Sequence, residues 1–490
     1  MGLMRFYVHD RDRVAEDDLA LTYVAAADEL PWYGRAFFSG DQLVIERVEN
    51  ESGTVWMPRR IDGLGELMLG TATLMERERP YLLEVELARG TVNRLRNQIV
   101  GWEGMGLTIP AEFREQAQQA TRAMAHAATA QDDPGVAAKF ADEALQLATR
   151  SAYQLTDIYA EQALAMRLRQ GAKLGTLLGV QLSHETVPVA IATRLPSTFN
   201  LVSLPFSWRG IEATEGHRRW GVADAQINWA QTIGLKVAGG PLIEFDERRV
   251  PDWTYLWEGD FESLATLMVE HVRAVVKRYR GRVNLWQVAS RMNRGHVLAL
   301  SEEQRLQIVA RAVRTVREID SRTPVVVSFD QPWAEYMAHE PVELAPLHFA
   351  DALVRADLGL SGLGLELNVG YWPQGSLART PLAFSRLIDQ WSLLELPLLI
   401  TLSTASSSAD DLQATSKAKI RHGTSLDGQR EWVEHYLPLI LAKNSVQVVI
   451  WDQLSDAQAH EFPHAGLFDA NGESKPALDA IHQARTAYLQ

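Results

Sequence analysis

The chain contains no cysteine. That excludes disulfides, thiolate catalysis and any metal site ligated by cysteine sulfur. It also lacks an apolar run approaching the ~18 residues of a membrane-spanning helix. The first residues, MGLMRFYVHDRDRVAEDD, hold charges from Arg5 onward and no apolar stretch ahead of a small-residue cleavage site, so no secretory leader is read there and the expected compartment is the cytoplasm. Positive charge is short as well, with 48 Lys and Arg against 62 Asp and Glu, a formal net charge of -14. Nucleic acid and anionic membrane, both polyanions, are therefore not expected as partners, and a neutral ligand fits better. There is no phosphate-binding Gly-Lys-Ser/Thr loop and no dinucleotide fingerprint, so no cofactor is expected.

What is present is ample core material: 490 residues, 46% of them hydrophobic, enough for two or three domains. Residues 1–110 read as short strands. DQLVIERVE, GTVWMPRRI and ELMLGTATLM are separated by turn residues, and YLLEVELARG sets Leu83, Val85 and Leu87 against Glu84 and Glu86 with the period of a half-buried strand. A small antiparallel β-sandwich of the carbohydrate-binding-module kind is expected, with Trp32, Tyr33, Trp56 and Trp102 mostly in its core. Residues 111–173 change to helical spacing. Asp133 caps and Pro134 opens a helix through Phe140, Ala144, Leu147, Ser151, Leu155 and Ile158 that closes at Gly171. With the segment before it, this predicts a helical hairpin connector. Its alanine-rich stripes, if left uncovered, predict a homo-oligomer.

From Leu174 to the end, apolar strands alternate with amphipathic helices. LGVQL, FNLVSL, LKVAGG, VNLWQV, PVVVSF, GLGLEL, LPLLIT and VQVVIW make eight strands, the number of a (β/α)8 TIM barrel over residues 174–490. Function in such a barrel collects at the C-terminal ends of the strands.

The order of several elements resembles glycoside hydrolase family 10, the endo-xylanases. ADAQINWAQ stands before the third strand, VKRYRGRVNLWQV is similar to the family's RYKG…WDVVNE, LPLLIT to its LPxxITELD, and GLFDANGESKPALDAIHQA to its closing segment. The resemblance implies a retaining hydrolysis with two glutamates ~5.5 Å apart at the ends of the fourth and seventh strands. The matching positions here are Arg291 and Leu402. A guanidinium does not serve as a proton donor and leucine has no nucleophilic atom. The sugar-holding motifs PENEMKW and GHTLVWH fall on Pro205 to Ile211 and Gly239 to Phe245, without their histidines and lysine. The expectation is a glycan-binding or scaffolding pseudoenzyme. The alternative is an active hydrolase with relocated carboxylates.

Polar residues at the strand ends supply the candidates. Glu366, Glu244 and Asp330 are the alternative acid and base groups. Arg291 is read either as a buried partner of Glu366 or as a bidentate contact to an acidic sugar. Trp451, Trp286, Trp208, Gln287 and Asn368 join Arg291 as candidate ligand-binding residues, with Trp451 the preferred stacking platform. His460 and His464, flanking Pro463, are not read as metal ligands, and no metal site is expected.

Overall fold

The computed structural model describes residues 2–169, 173–294, 297–421 and 425–490. They form two compact units: Met1–Met166 with Trp333–Glu343 and Leu377–Leu387, and Arg167–Pro332 with Leu344–Ser376 and Ile388–Gln490. The sheets and the helices expected as separate domains thus share one unit, which also recruits two short segments from far along the chain.

The first unit has two four-stranded sheets. One runs Gly34–Ser39, Gln42–Arg47, Gly2–Tyr7, Tyr81–Leu82; the other Pro31–Trp32, Tyr23–Ala25, Gly53–Ile61, Gly65–Leu74. Gly2–Tyr7 alternates buried and half-buried positions, with Met4 and Phe6 inside, as a period of two requires. Of the strand expected over YLLEVELARG, only Tyr81–Leu82 is extended, and the rest begins helix α1, Leu83–Gly104. Its glutamates are buried along with its leucines, because Glu84 accepts the His9 amide (3.1 Å) and Glu86 meets Arg89 (3.2 Å). The alternation is therefore not an inside–outside pattern. Gly90 explains how the helix lies so close to Gly65–Leu74: a Cβ there would stand 2.2 Å from the Thr71 carbonyl carbon.

Helix α2, Ala111–Thr129, and helix α3, Pro134–Arg169, follow. The Asp133 carboxylate accepts the amides of Gly135 and Val136 (3.1 and 3.2 Å) at the start of α3, satisfying two otherwise orphaned donors. The expected closure at Gly171 lies outside the described residues. The buried stripe of α3 runs through Ala137, Ala141, Ala144, Ala148 and Ala152 rather than Phe140, Leu147 and Ile158, which are half-buried. Ala120 and Ala127 of α2 are likewise fully covered. The alanine stripes are thus enclosed within the chain, and the argument for self-association from an uncovered face does not hold.

The recruited segments give this unit a buried charge. Arg379 donates to Glu335 (2.8 Å) and to the Tyr23 hydroxyl, and it lies between the rings of Trp56 (4.6 Å) and Trp333 (5.0 Å). Only 3% of Arg379 is exposed.

The second unit is a closed barrel of eight parallel strands: β1 Leu177–Gln181, β2 Leu201–Leu204, β3 Lys236–Gly239, β4 Leu285–Ser290, β5 Val325–Asp330, β6 Gly362–Val369, β7 Leu398–Thr404 and β8 Val446–Trp451. Hydrogen bonding runs in this order, and β8 pairs back to β1. Long helices separate the later strands, such as Phe261–Tyr279 between β3 and β4 and Glu302–Ile319 between β4 and β5. All eight strands expected from the sequence are present. Leu201, Ala238, Leu285, Val326, Leu399, Val448 and Ile450 form one buried cluster with Leu177 against it. Only the interior of a closed barrel brings seven strands to one cluster, so these residues fix which parity of each strand points inward.

Candidate functional site

Above that apolar floor the inward positions turn polar. Gln287 donates to the Ser328 hydroxyl (2.7 Å) and Ser403 to the Asn368 side-chain oxygen (2.5 Å). Strand β4 carries a bulge between Gln287 and Ala289. Gln287 and Ser290, three apart, both line the cavity at the barrel mouth, a spacing the bulge makes compatible with one face. Arg291 follows with φ 60°, in the left-handed region that costs a non-glycine residue ~1 kcal/mol or more.

The cavity has a volume of about 430 Å³. Arg291 stands at its centre of charge. Its Nε donates to Glu366 Oε2 (3.0 Å), and its Nη1 meets Glu461 Oε1 (2.7 Å), Asp246 Oδ2 (3.2 Å) and Glu244 Oε1 (3.5 Å). Arg248 bridges Asp246 and Glu461, the latter at 2.8 Å. Arg249 reaches Glu244 (3.5 Å) and Glu461 (3.6 Å), and its Nη1 lies 3.0 Å from His184 Nε2.

Four carboxyls, Glu366, Glu461, Asp246 and Glu244, therefore share three guanidiniums, with Asp330 and Asp452 buried nearby, and the six divide unequally. Burial opposes charge on Glu461, but Arg291, Arg248 and Arg249 outweigh it and hold that carboxyl down at about 2. Asp246 is also buried, yet its bonds to Arg248 and the charge of Arg291 hold it well below the usual range. Glu366 goes the other way: burial, reinforced by Asp330, Glu244 and Asp452, pushes it up to about 8 against the pull of Arg291. Burial and the neighbouring Glu461 push Asp452 up to about 7. Glu244 and Asp330 are raised by burial too. Burial and Arg249 push His184 down to about 4, so its imidazole is neutral.

The candidates separate cleanly. Arg291, Glu244, Glu366 and Gln287 line the cavity. Asp330 and Asn368 are buried beside it without lining it. The three tryptophans are not platforms. Trp286 and Trp451 sit one position from the inward Gln287 and Asp452 and so face the outer helices. Trp286 Nε1 donates to Asp320 (3.0 Å), and Trp451 Nε1 to the Ala465 carbonyl (2.9 Å) with its ring against Trp432. Trp208 is buried between Trp253 and His271. Arg291 has no free pair of neighbouring donors for a bidentate grip on an acidic sugar, because its Nε and Nη1 are held by the protein's own carboxyls. His460 and His464 both turn to Asp411 (2.9 and 3.6 Å), and among the described residues no cluster suited to a metal ion occurs. Sequence reading missed Glu461, Asp246, Arg248 and Arg249. The first lies between the two histidines in AHEFPH and the others in the DERR following β3, loop segments without periodicity.

With strand ends, bulge and charge cluster in place, the second unit is a (β/α)8 barrel with a charged mouth. The family model for Glycosyl hydrolase family 10 matches residues 169–296. Endo-1,4-beta-xylanase 3 of Hypocrea jecorina is 31% identical over 117 residues, 23% of this chain and 33% of that one. Endo-1,4-beta-xylanase C of Paenibacillus barcinonensis is 31% identical over 86 residues, 16% of this chain and 8% of that one. The chain thus spans a third or less of the length of these curated relatives. Among solved structures, xylanase 10B from Thermotoga petrophila RKU-1 in complex with xylobiose superposes with a TM-score of 0.50 at 16% identity, covering 66% of this chain and 96% of that one, a likeness of fold. Over residues 169–296 the barrel is similar to the glycoside hydrolase family 10 endo-xylanases.

Proposed function

We propose that the barrel mouth binds a short oligosaccharide and does not cleave xylan by the paired-glutamate route. The observation that supports this reading is Arg291 itself: at the position matching the fourth-strand acid it holds Glu366 and Glu461 at 3.0 and 2.7 Å. Leu402, at the position matching the nucleophile, borders an outer apolar space with Trp432, Leu437 and Trp451 instead of the cavity. The xylobiose held by the Thermotoga petrophila relative supports a glycan of that size as the ligand class. The test is reducing-end release from xylan and xylo-oligosaccharides beside calorimetric binding of the same oligosaccharides. Binding without release is expected, and steady release refutes the non-hydrolytic half.

A second reading is favoured by one observation. Asp452, held up to about 7, and Glu461, held down at about 2, are two carboxyls driven apart by their surroundings in one cavity, the pattern of a proton donor beside a standing anion. Under that reading Asp452→Asn removes turnover on a glycoside that the wild-type protein cleaves.

A further inference from the structure

We propose that the ligand of this cavity carries a protonated amine, as an amino sugar or short amino-sugar oligomer does. The inference rests on the oligosaccharide-binding reading above and names its chemical class. Three observations support it. First, more acid than base lines the cavity: Glu244, Glu366, Asp452, Glu461 and Glu473 against Arg249 and Arg291. Arg291 and Arg248 are committed to carboxylates, and Arg249 is divided between Glu244, Glu461 and His184. Asp452 lines the cavity with no cationic side chain within 4.0 Å among the described residues. An acidic ligand meets guanidiniums already shared among carboxyls, whereas an ammonium meets carboxyls in excess of them in a low-dielectric wall.

Second, Ser290 lines the same cavity, and its buried hydroxyl has no hydrogen-bond partner. Buried hydroxyls are seldom left so, and a polar ligand atom satisfies it. Third, among the described residues no tryptophan, tyrosine or phenylalanine lines the cavity. Neutral pyranoses have no ring face there to stack on, so charge and hydrogen bonds must do the selecting. Burial keeps Glu366 mostly and Asp452 partly protonated near neutrality. An incoming ammonium favours their charged forms, so binding releases protons.

The experiment is titration calorimetry on the full chain with three probes: the β-1,4 dimer of glucosamine, its di-N-acetylated form, and xylobiose. Each is run in two buffers of different ionisation heat. The free-amine dimer is expected to bind at least about tenfold tighter than the other two, with a buffer-dependent heat that reports proton release. Asp452→Asn is expected to shrink that preference. Equal or tighter binding of the acetylated dimer or xylobiose overturns the amine inference and leaves the oligosaccharide reading standing. Tight free-amine binding without proton release, or a preference unchanged in Asp452→Asn, overturns the assignment to these carboxyls. Binding of none of the three overturns both readings.

Discussion

Replacing Arg291 by methionine removes the cation that Glu366, Glu461, Asp246 and Glu244 share. Methionine retains an unbranched stem and leaves the backbone at φ 60° unrelieved. Glu461 keeps Arg248 at 2.8 Å, so the cluster is weakened rather than emptied. Taking one partner from a buried ion pair costs ~3–5 kcal/mol, which places the loss in that range near pH 7.5. As pH falls toward 5 the loss should shrink, because carboxylates freed from the guanidinium take up protons instead of remaining as unpaired charges. Arg291→Gly separates charge from strain: it loses the same ion pairs but relieves ~1 kcal/mol of left-handed backbone, so it should be the milder variant unless the lost stem packing outweighs that relief. Urea unfolding followed by tryptophan fluorescence reads both, with Trp286 and Trp451 reporting from the barrel wall. Wild-type midpoints for Arg291→Met, or a loss that does not change with pH, refute the claim that charge organises the mouth.

Wild-type stability itself should depend on pH. Glu366 and Asp452 release their protons at about 8 and about 7 when folded, against ordinary values of 4.5 and 3.8. Their contribution is therefore full below the unfolded values and lost as pH rises through 7 to 8, while that of Glu461 disappears only as pH falls through 4 toward 2. Midpoints should peak near pH 5 and decline toward pH 8.5, and a flat profile over that range contradicts the assignment. The double variant Arg291→Glu with Leu402→Glu should remain inactive on xylan and lose stability, because the second glutamate enters the apolar space beside Trp432 and Trp451; robust xylan cleavage refutes this. In the first unit, Arg379→Met should cost ~3–5 kcal/mol by stranding Glu335, and Tyr23→Phe only ~1 kcal/mol, both read by chemical denaturation.

The barrel was legible because its strands are short apolar runs between amphipathic helices, and such periodicity survives large changes in side chains. Side-chain direction was also within reach: with Gln287 and Asp452 taken as inward, a period of two sends Trp286 and Trp451 outward. The bulge was not legible, since nothing in LWQVAS marks where the register slips, and it decides that Ser290 reaches the mouth. Glu461, Asp246, Arg248 and Arg249 come from loops, where spacing along the chain carries no geometric information. In α1, VELAR alternates like a strand over one short window, while the helix is 22 residues long. Tyr23 and Arg379, 356 residues apart, had no sequence signal linking them.

The composition of the first unit bears on the order in which the chain can fold as it is made. Its largest part ends at Met166, but Glu335 and Arg379, which complete its buried ion pair, lie in Trp333–Glu343 and Leu377–Leu387. At synthesis rates of ~5–20 residues per second, Leu387 leaves the ribosome on the order of 10–45 s after Met166. Throughout that interval the nascent N-terminal part carries Tyr23 and the Trp56 ring without the guanidinium that later bridges them. The unit translated first is therefore not complete until six of the barrel's eight strands have been made. Its last contacts are set by the emergence of β5 and β6, which ties the timing of its maturation to the half-made barrel.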